Sequence, residues 1–171
     1  MLKVCGDLKE IRFPLKVAAE LSGVIPATLR ALVMTGAIVP TQRGRLGRGY
    51  SSLFDVKAVL ALLMSARYGG GRCLRQDFPR HNNMGWSEVR EWLGLDGGDP
   101  WQEEQVAFDT SDVSDQSAFE HALKHQVFFQ RLFRLSRIVR ERLGLPPGPT
   151  GATEPAAGRL TPRQPAKEKR T

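Results

Sequence analysis

Residues 14–36 read PLKVAAELSGVIPATLRALVMTG, and this stretch decides the fold. Pro14 suits a helix start, because the N–H it lacks would have no intrahelical partner there. Val17, Ala18 and Leu21 recur at helical spacing and Gly23 supplies a stop, so the pattern predicts a helix over 15–22. A turn at Gly23-Val24-Ile25 leads to Pro26 and a second predicted helix over 26–35. Leu29, Leu32 and Val33 form its buried stripe, Thr28 and Arg30 lie off that stripe, and Gly36 ends it. Two short helices joined by a turn containing glycine are the outline of a helix-turn-helix.

Downstream, Ala37-Ile38-Val39-Pro40 is short and β-prone, 41–49 is rich in Gly and Arg, and Tyr50-Ser51 follows. Two short strands around such a loop predict a β-ribbon, or wing. Ser52-Leu53-Phe54-Asp55 has the spacing of a capping box with Asp55 in the third-residue role, which predicts a third helix over 53–67. Val56, Val59, Leu60, Leu63 and Met64 give that helix a strong apolar face.

Gly69-Gly70-Gly71 reads as a break, 79–85 as a polar loop, and 86–95 as a short helix with Val89, Trp92 and Leu93 inward. Residues 96–117 are acidic and poor in apolar side chains, as a linker is. The longest helical pattern covers 118–143. Phe128, Leu132, Leu135 and Val139 alternate spacings of four and three along it, as an a/d seam does, and so apolar a face is buried either on this chain's own domain or on a second copy, a partner or dimer helix being the expectation. Arg131, Arg134, Arg137 and Arg140 recur every three residues and drift by ~180° around the helix, so they do not form one DNA-binding stripe. Prolines 146, 147 and 149 stop the pattern, and 145–171 reads as a disordered, Pro-rich basic tail. No internal repeat is evident. The organisation expected is 1–68 as a winged helix-turn-helix, 69–117 as connector, 118–144 as interaction helix and 145–171 as tail, a mainly α fold with a small β-wing.

The order helix, turn, helix, ribbon, helix over 13–64 resembles the DNA-binding domain of MerR-type regulators. The likeness runs through Val17-Ala18, Gly23-Val24, Thr28-Leu29-Arg30, Gly36-Ala37-Ile38-Val39-Pro40, Arg48-Gly49-Tyr50-Ser51 and Asp55-Val56. Excisionases and small terminase subunits of phages share the same head. The family follows its Thr-Leu-Arg with an aromatic residue that contacts the DNA backbone; here Ala31-Leu32-Val33 stand instead, which implies one phosphate contact fewer. The family's dimerisation helix follows its head directly, whereas Gly69-Gly70-Gly71 and an acidic stretch intervene here. Metal-sensing members carry clustered cysteines, which this chain lacks.

Charge supports a polyanionic partner. The chain has 171 residues, 25 Lys+Arg and 18 Asp+Glu, for a net charge of +7. Residues 1–75 carry net +8, 76–115 net −8, 116–145 net +4 and 146–171 net +3. Basic surfaces recruit nucleic acid by counterion release. A helix entering the major groove would present Ala27, Thr28 and Arg30. Arg43, Arg45 and Arg48, spaced by glycines, and the hydroxyl of Tyr50 would hold phosphates or a narrow minor groove. The alternative for Arg30 is an ion pair with Glu20, and for Tyr50 packing in the ribbon.

Several functions are excluded or disfavoured. Cys5 and Cys73 make neither a disulfide framework nor a four-cysteine zinc site. His121 and His125 share a helix face but lack a third ligand, His81-Asn82-Asn83 has no second half of a nuclease motif, and no phosphate-binding glycine loop or nucleophile elbow occurs. No apolar run reaches a membrane span and the N-terminus has no signal core, so a cytoplasmic, nucleoid-associated protein is expected. The expected function is sequence-specific binding of double-stranded DNA without catalysis, cofactor or metal, in bacterial or phage transcription control. An excisionase or DNA-packaging adaptor is the alternative within that class. A protein-interaction module that has lost DNA binding, engaging its partner through the acidic segment or the C-terminal helix, is the alternative outside it. A homo-oligomer through 118–144 is expected.

Overall fold

The computed structural model describes residues 6–44, 52–67, 71–97 and 116–148. Six α-helices and one two-stranded antiparallel sheet account for these residues: β1 (Arg12–Pro14), α1 (Leu15–Ser22), α2 (Pro26–Met34), β2 (Leu53–Asp55), α3 (Val56–Ala66), α4 (Gly71–Asn82), α5 (Trp86–Trp92) and α6 (Gln116–Leu143). A single 3-10 turn, Leu8–Glu10, precedes β1.

The centre of the fold is α3. Its sequence, VKAVLALLMSA, is apolar nearly all round, and Val56, Ala58, Val59, Leu60, Ala61, Leu62, Leu63 and Ser65 are all buried. A helix of that composition is stable only when other elements enclose it. Here α1, α4, α5 and α6 pack on it. Its one buried hydroxyl, Ser65 Oγ, donates to the Ala61 carbonyl at 2.7 Å, so no polar group is left unpaired at that point.

Around α1 and α2 the local chemistry is as the sequence predicts. Gly23 closes α1 in the left-handed region, φ 74°, and the Val24 N–H donates back to the Ala19 carbonyl at 3.0 Å. That bond across a left-handed glycine is a Schellman closure. Pro26 occupies the start of α2, and Leu29 and Leu32 are its buried residues.

The sheet differs from the expected ribbon. Ala37–Pro40 forms no strand; β1 instead pairs with β2 in the register Arg12↔Asp55, Phe13↔Phe54, Pro14↔Leu53. Phe13 and Phe54 face one another fully buried, an aromatic cross-strand pair that fixes the register. Gln42 adds one isolated bridge to Leu53. Pro40, without an N–H, is poorly suited to a ribbon there. The start of α3 moves accordingly. Leu53 and Phe54 are extended, and Asp55 is the N-cap, its Oδ1 accepting from the Ala58 N–H at 2.8 Å. The capping carboxylate was legible, but its place is one turn earlier in the helix than a capping box gives.

The connector is also more ordered than its glycines and Pro79 suggest. Residues 71–82 form α4, which buries Leu74 and Phe78 and is the most extensive neighbour of α3. The short helix expected near 86–95 is α5. The acidic stretch 98–115 and the tail 149–171 lie outside the described residues.

A structural repeat emerges that sequence identity conceals. Helix, three-residue turn, helix occurs at α1–α2 and again at α4–α5, with α2 starting at Pro26 and α5 at Trp86, 60 residues on. At that offset the buried turn residues Val24 and Met84 correspond, as do the buried Leu29 and Val89, Ala18 and Phe78, and the two arginines Arg30 and Arg90. Leu29 N donates to the Ile25 carbonyl and Val89 N to the Gly85 carbonyl, both at 3.0 Å. Helix α6 packs on α1 and α3, and its Ser136 and Arg140 bond the carbonyls of Leu93 and Gly94 just after α5. No helix among the described residues is long and apolar enough to cross a membrane.

Candidate nucleic-acid interface

The α1–α2 pair presents one face of α2 outward. Ala27 and Arg30 are exposed, Thr28 is half-buried, and Ala31 and Met34 complete the outer face. Inward, Leu29 and Leu32 fix the helix by burial. Ile25, the residue before the helix, makes no side-chain cap. Arg30 does not pair with Glu20: the Glu20 carboxylate accepts from Arg134 of α6 at 2.8 Å. Among the described residues no ion pair engages Arg30.

Arg43 is exposed where the chain leaves the sheet edge. The residues on either side of 45–51 are tied together: Gln42 and Leu53 exchange N–H···O bonds of 3.0 and 2.8 Å, and the Gly44 N–H donates to Ser52 Oγ at 3.4 Å. Thr41 Oγ1 accepts from the Asp55 N–H at 2.9 Å. Arg45, Arg48 and Tyr50 lie outside the described residues. Of the seven expected DNA contacts, the structure therefore places Ala27, Thr28 and Arg30 together on α2 and Arg43 at the loop base.

Within 1–75 the positive charge is unevenly placed. Between Glu20 and Asp55 there is no carboxylate at all, and the four charged residues are Arg30, Arg43, Arg45 and Arg48. The stretch that holds α2 and the loop is thus purely cationic.

The second helix pair has the opposite chemistry. On α5, Glu88 and Glu91 are exposed. Arg90, at the position matching Arg30, is bound by the carboxylate of Asp96 in the turn after the helix. That hydrogen bond raises the Arg90 pKa and lowers that of Asp96. On α4, burial pulls His81 below the usual imidazole value; Arg80 adds to this, while Asp77 and Glu88 oppose it. An open groove of about 590 Å³ separates the pairs, lined by Ala37 and Val39 on one side and Phe78, Pro79, Arg80, Asn82 and Asn83 on the other.

The seam of α6 requires a correction. Phe128 is 3% exposed, and Leu132, Leu135 and Val139 are 0% exposed, all within this chain's own core. Their helix packs on α1 and α3, and the four side chains are covered within the chain itself. A four–three apolar spacing marks any helix with one buried face; it does not say whose surface buries it.

The arginines of α6 act as clamps on this packing. Arg131 lies on Gly23 in the first turn, Arg134 holds Glu20 of α1, and Arg142 lies 4.6 Å from the Phe13 ring centroid and donates to the Arg12 carbonyl at 2.9 Å. Arg140, 8% exposed, donates to the Gly94 carbonyl at the end of α5. Ser136 Oγ donates to the neighbouring Leu93 carbonyl at 2.6 Å. The His125 ring is engaged by Arg67 and stacks near Phe129, with centroids 6.4 Å apart. Among the described residues no group of three or more His, Cys, Asp or Glu side chains could hold a metal ion.

No family model, curated protein or solved structure matches the chain. The functional reading rests on the site itself.

Proposed function

We propose that this protein binds double-stranded DNA, with α1–α2 acting as a winged helix-turn-helix head, α2 in the major groove and the arginine-bearing loop after Arg43 on the adjacent backbone. The observation that carries this is the carboxylate-free stretch between Glu20 and Asp55, whose exposed Arg30 and Arg43 have no described acidic partner. Arg30 suits guanine or phosphate, and the loop arginines suit phosphate. The acidic α5 assigns the second pair to bracing rather than to DNA, since Glu88 and Glu91 would face phosphates of like charge. Transcription control is the role proposed, with recombination directionality or DNA packaging as uses of the same head.

Selection of bound fragments from random duplex DNA by the purified full chain tests this. Recovery of one motif supports a sequence-specific reader. Recovery of nothing above background would overturn it and favour a protein-interaction module, for which the exposed carboxylates of α5 are the relevant surface.

A further inference from the structure

Ala27, Arg30, Ala31 and Met34 fall within an arc of about 100° on α2. All four are exposed, and Met34 is 74% exposed. An apolar side chain so open, on a helix with no acidic residue, asks for an occupant. The stretch that bears this face, from Leu21 to Phe54, carries four arginines and no carboxylate, which favours a polyanion over a protein surface. Within DNA, the face restricts what can be read. Adenine is read by Asn or Gln and cytosine by Asp or Glu, and this face has none of them. Arg30 is the one hydrogen-bonding side chain within that arc; Thr28, half-buried, lies about 60° beyond its edge. The major-groove feature left for alanine and methionine is the thymine C5-methyl group.

We propose that α2 selects thymine-rich sites, with Ala27, Ala31 and Met34 packed against thymine methyl groups and Arg30 on a guanine among them. This rests on the DNA-binding reading and goes beyond it by naming what is read.

The test uses the full chain and the duplex recovered by selection, synthesised once with thymine and once with uracil at every thymine. Each methyl removed from contact is expected to cost about fourfold in affinity, so two or three contacts give roughly tenfold or more. Met34→Ala, at an exposed position that does not threaten folding, should shrink the thymine-to-uracil ratio. Arg30→Ala should weaken both duplexes and leave the ratio in place. Equal binding of the two duplexes would overturn the inference while the DNA-binding reading stands. Binding of neither would overturn both. Self-association abolished by Met34→Ala, with no thymine preference, would assign the face to a second copy and overturn the inference.

Discussion

Arg131 of α6 fills the space where a side chain on Gly23 would stand, so α6 closes over the turn between α1 and α2. Gly23 is needed there twice, once for its positive φ of 74° and once for the room it leaves. The two requirements differ in cost. The guanidinium is the far end of a flexible chain and can swing aside, whereas a left-handed backbone costs an L-residue about 1–2 kcal/mol. Gly23→Ala should therefore lower unfolding stability in urea by about 1–2 kcal/mol, and adding Arg131→Ala should restore only a few tenths. Full recovery in the double variant would mean that crowding, not backbone, dominates.

Leu132, 0% exposed, sits in the middle of the α6 seam. Leu132→Ala should cost about 2–5 kcal/mol, as a cavity in a packed core does. The loss should be independent of protein concentration, because the seam is closed within one chain. An unfolding midpoint that moves with concentration would return the seam to a dimer.

A chain cut after Arg72 should fail to unfold cooperatively on heating. The cut removes α4, the most extensive neighbour of α3, and α6, which covers α1 and α3 together. The apolar surface of α3 is then left in water. A sharp thermal transition for residues 1–72 would show the head to be independent.

Legibility in the sequence followed the range of the forces involved. Helices α1 and α2 were readable because their stops and starts are local: Gly23, Pro26 and Gly36 act within a few residues. The β1–β2 pairing joins residues about forty apart, and nothing local in Arg12–Pro14 announces a partner at Leu53–Asp55. Helix α4 was hidden because Gly71 and Pro79 are breakers by propensity, and only Leu74 and Phe78 anchor it. Tertiary packing on α3 overrides that propensity. The repeat was hidden because it is kept in burial and turn length, with Arg30 and Arg90 the one identical pair among the correspondences named. At the candidate interface, Arg30 and Arg43 were legible as residue types; that Glu20 is taken by Arg134 required the fold.

His81 gives the fold an acid-side dependence. Its pKa is lowered in the folded state, chiefly by burial. As pH falls, the unfolded chain therefore takes up the proton first. The contribution to stability is intact above the unfolded imidazole value of about 6.5 and is lost as pH drops through the lower folded value. The melting temperature should fall as pH drops below the unfolded imidazole value of about 6.5, and His81→Gln should reduce that fall. An identical fall in the variant would place the dependence elsewhere.

The central claim is that the cationic stretch between Glu20 and Asp55 lies on DNA phosphates, and the salt dependence of duplex binding by the intact chain tests it most directly. Arg43, Arg45 and Arg48 on phosphates, with Arg30 on a base, predict that log affinity falls with log salt at a slope of roughly −3, and that Arg43→Ala combined with Arg45→Ala makes it shallower by roughly 2. A slope near zero, or one that the double variant leaves unchanged, would contradict the account.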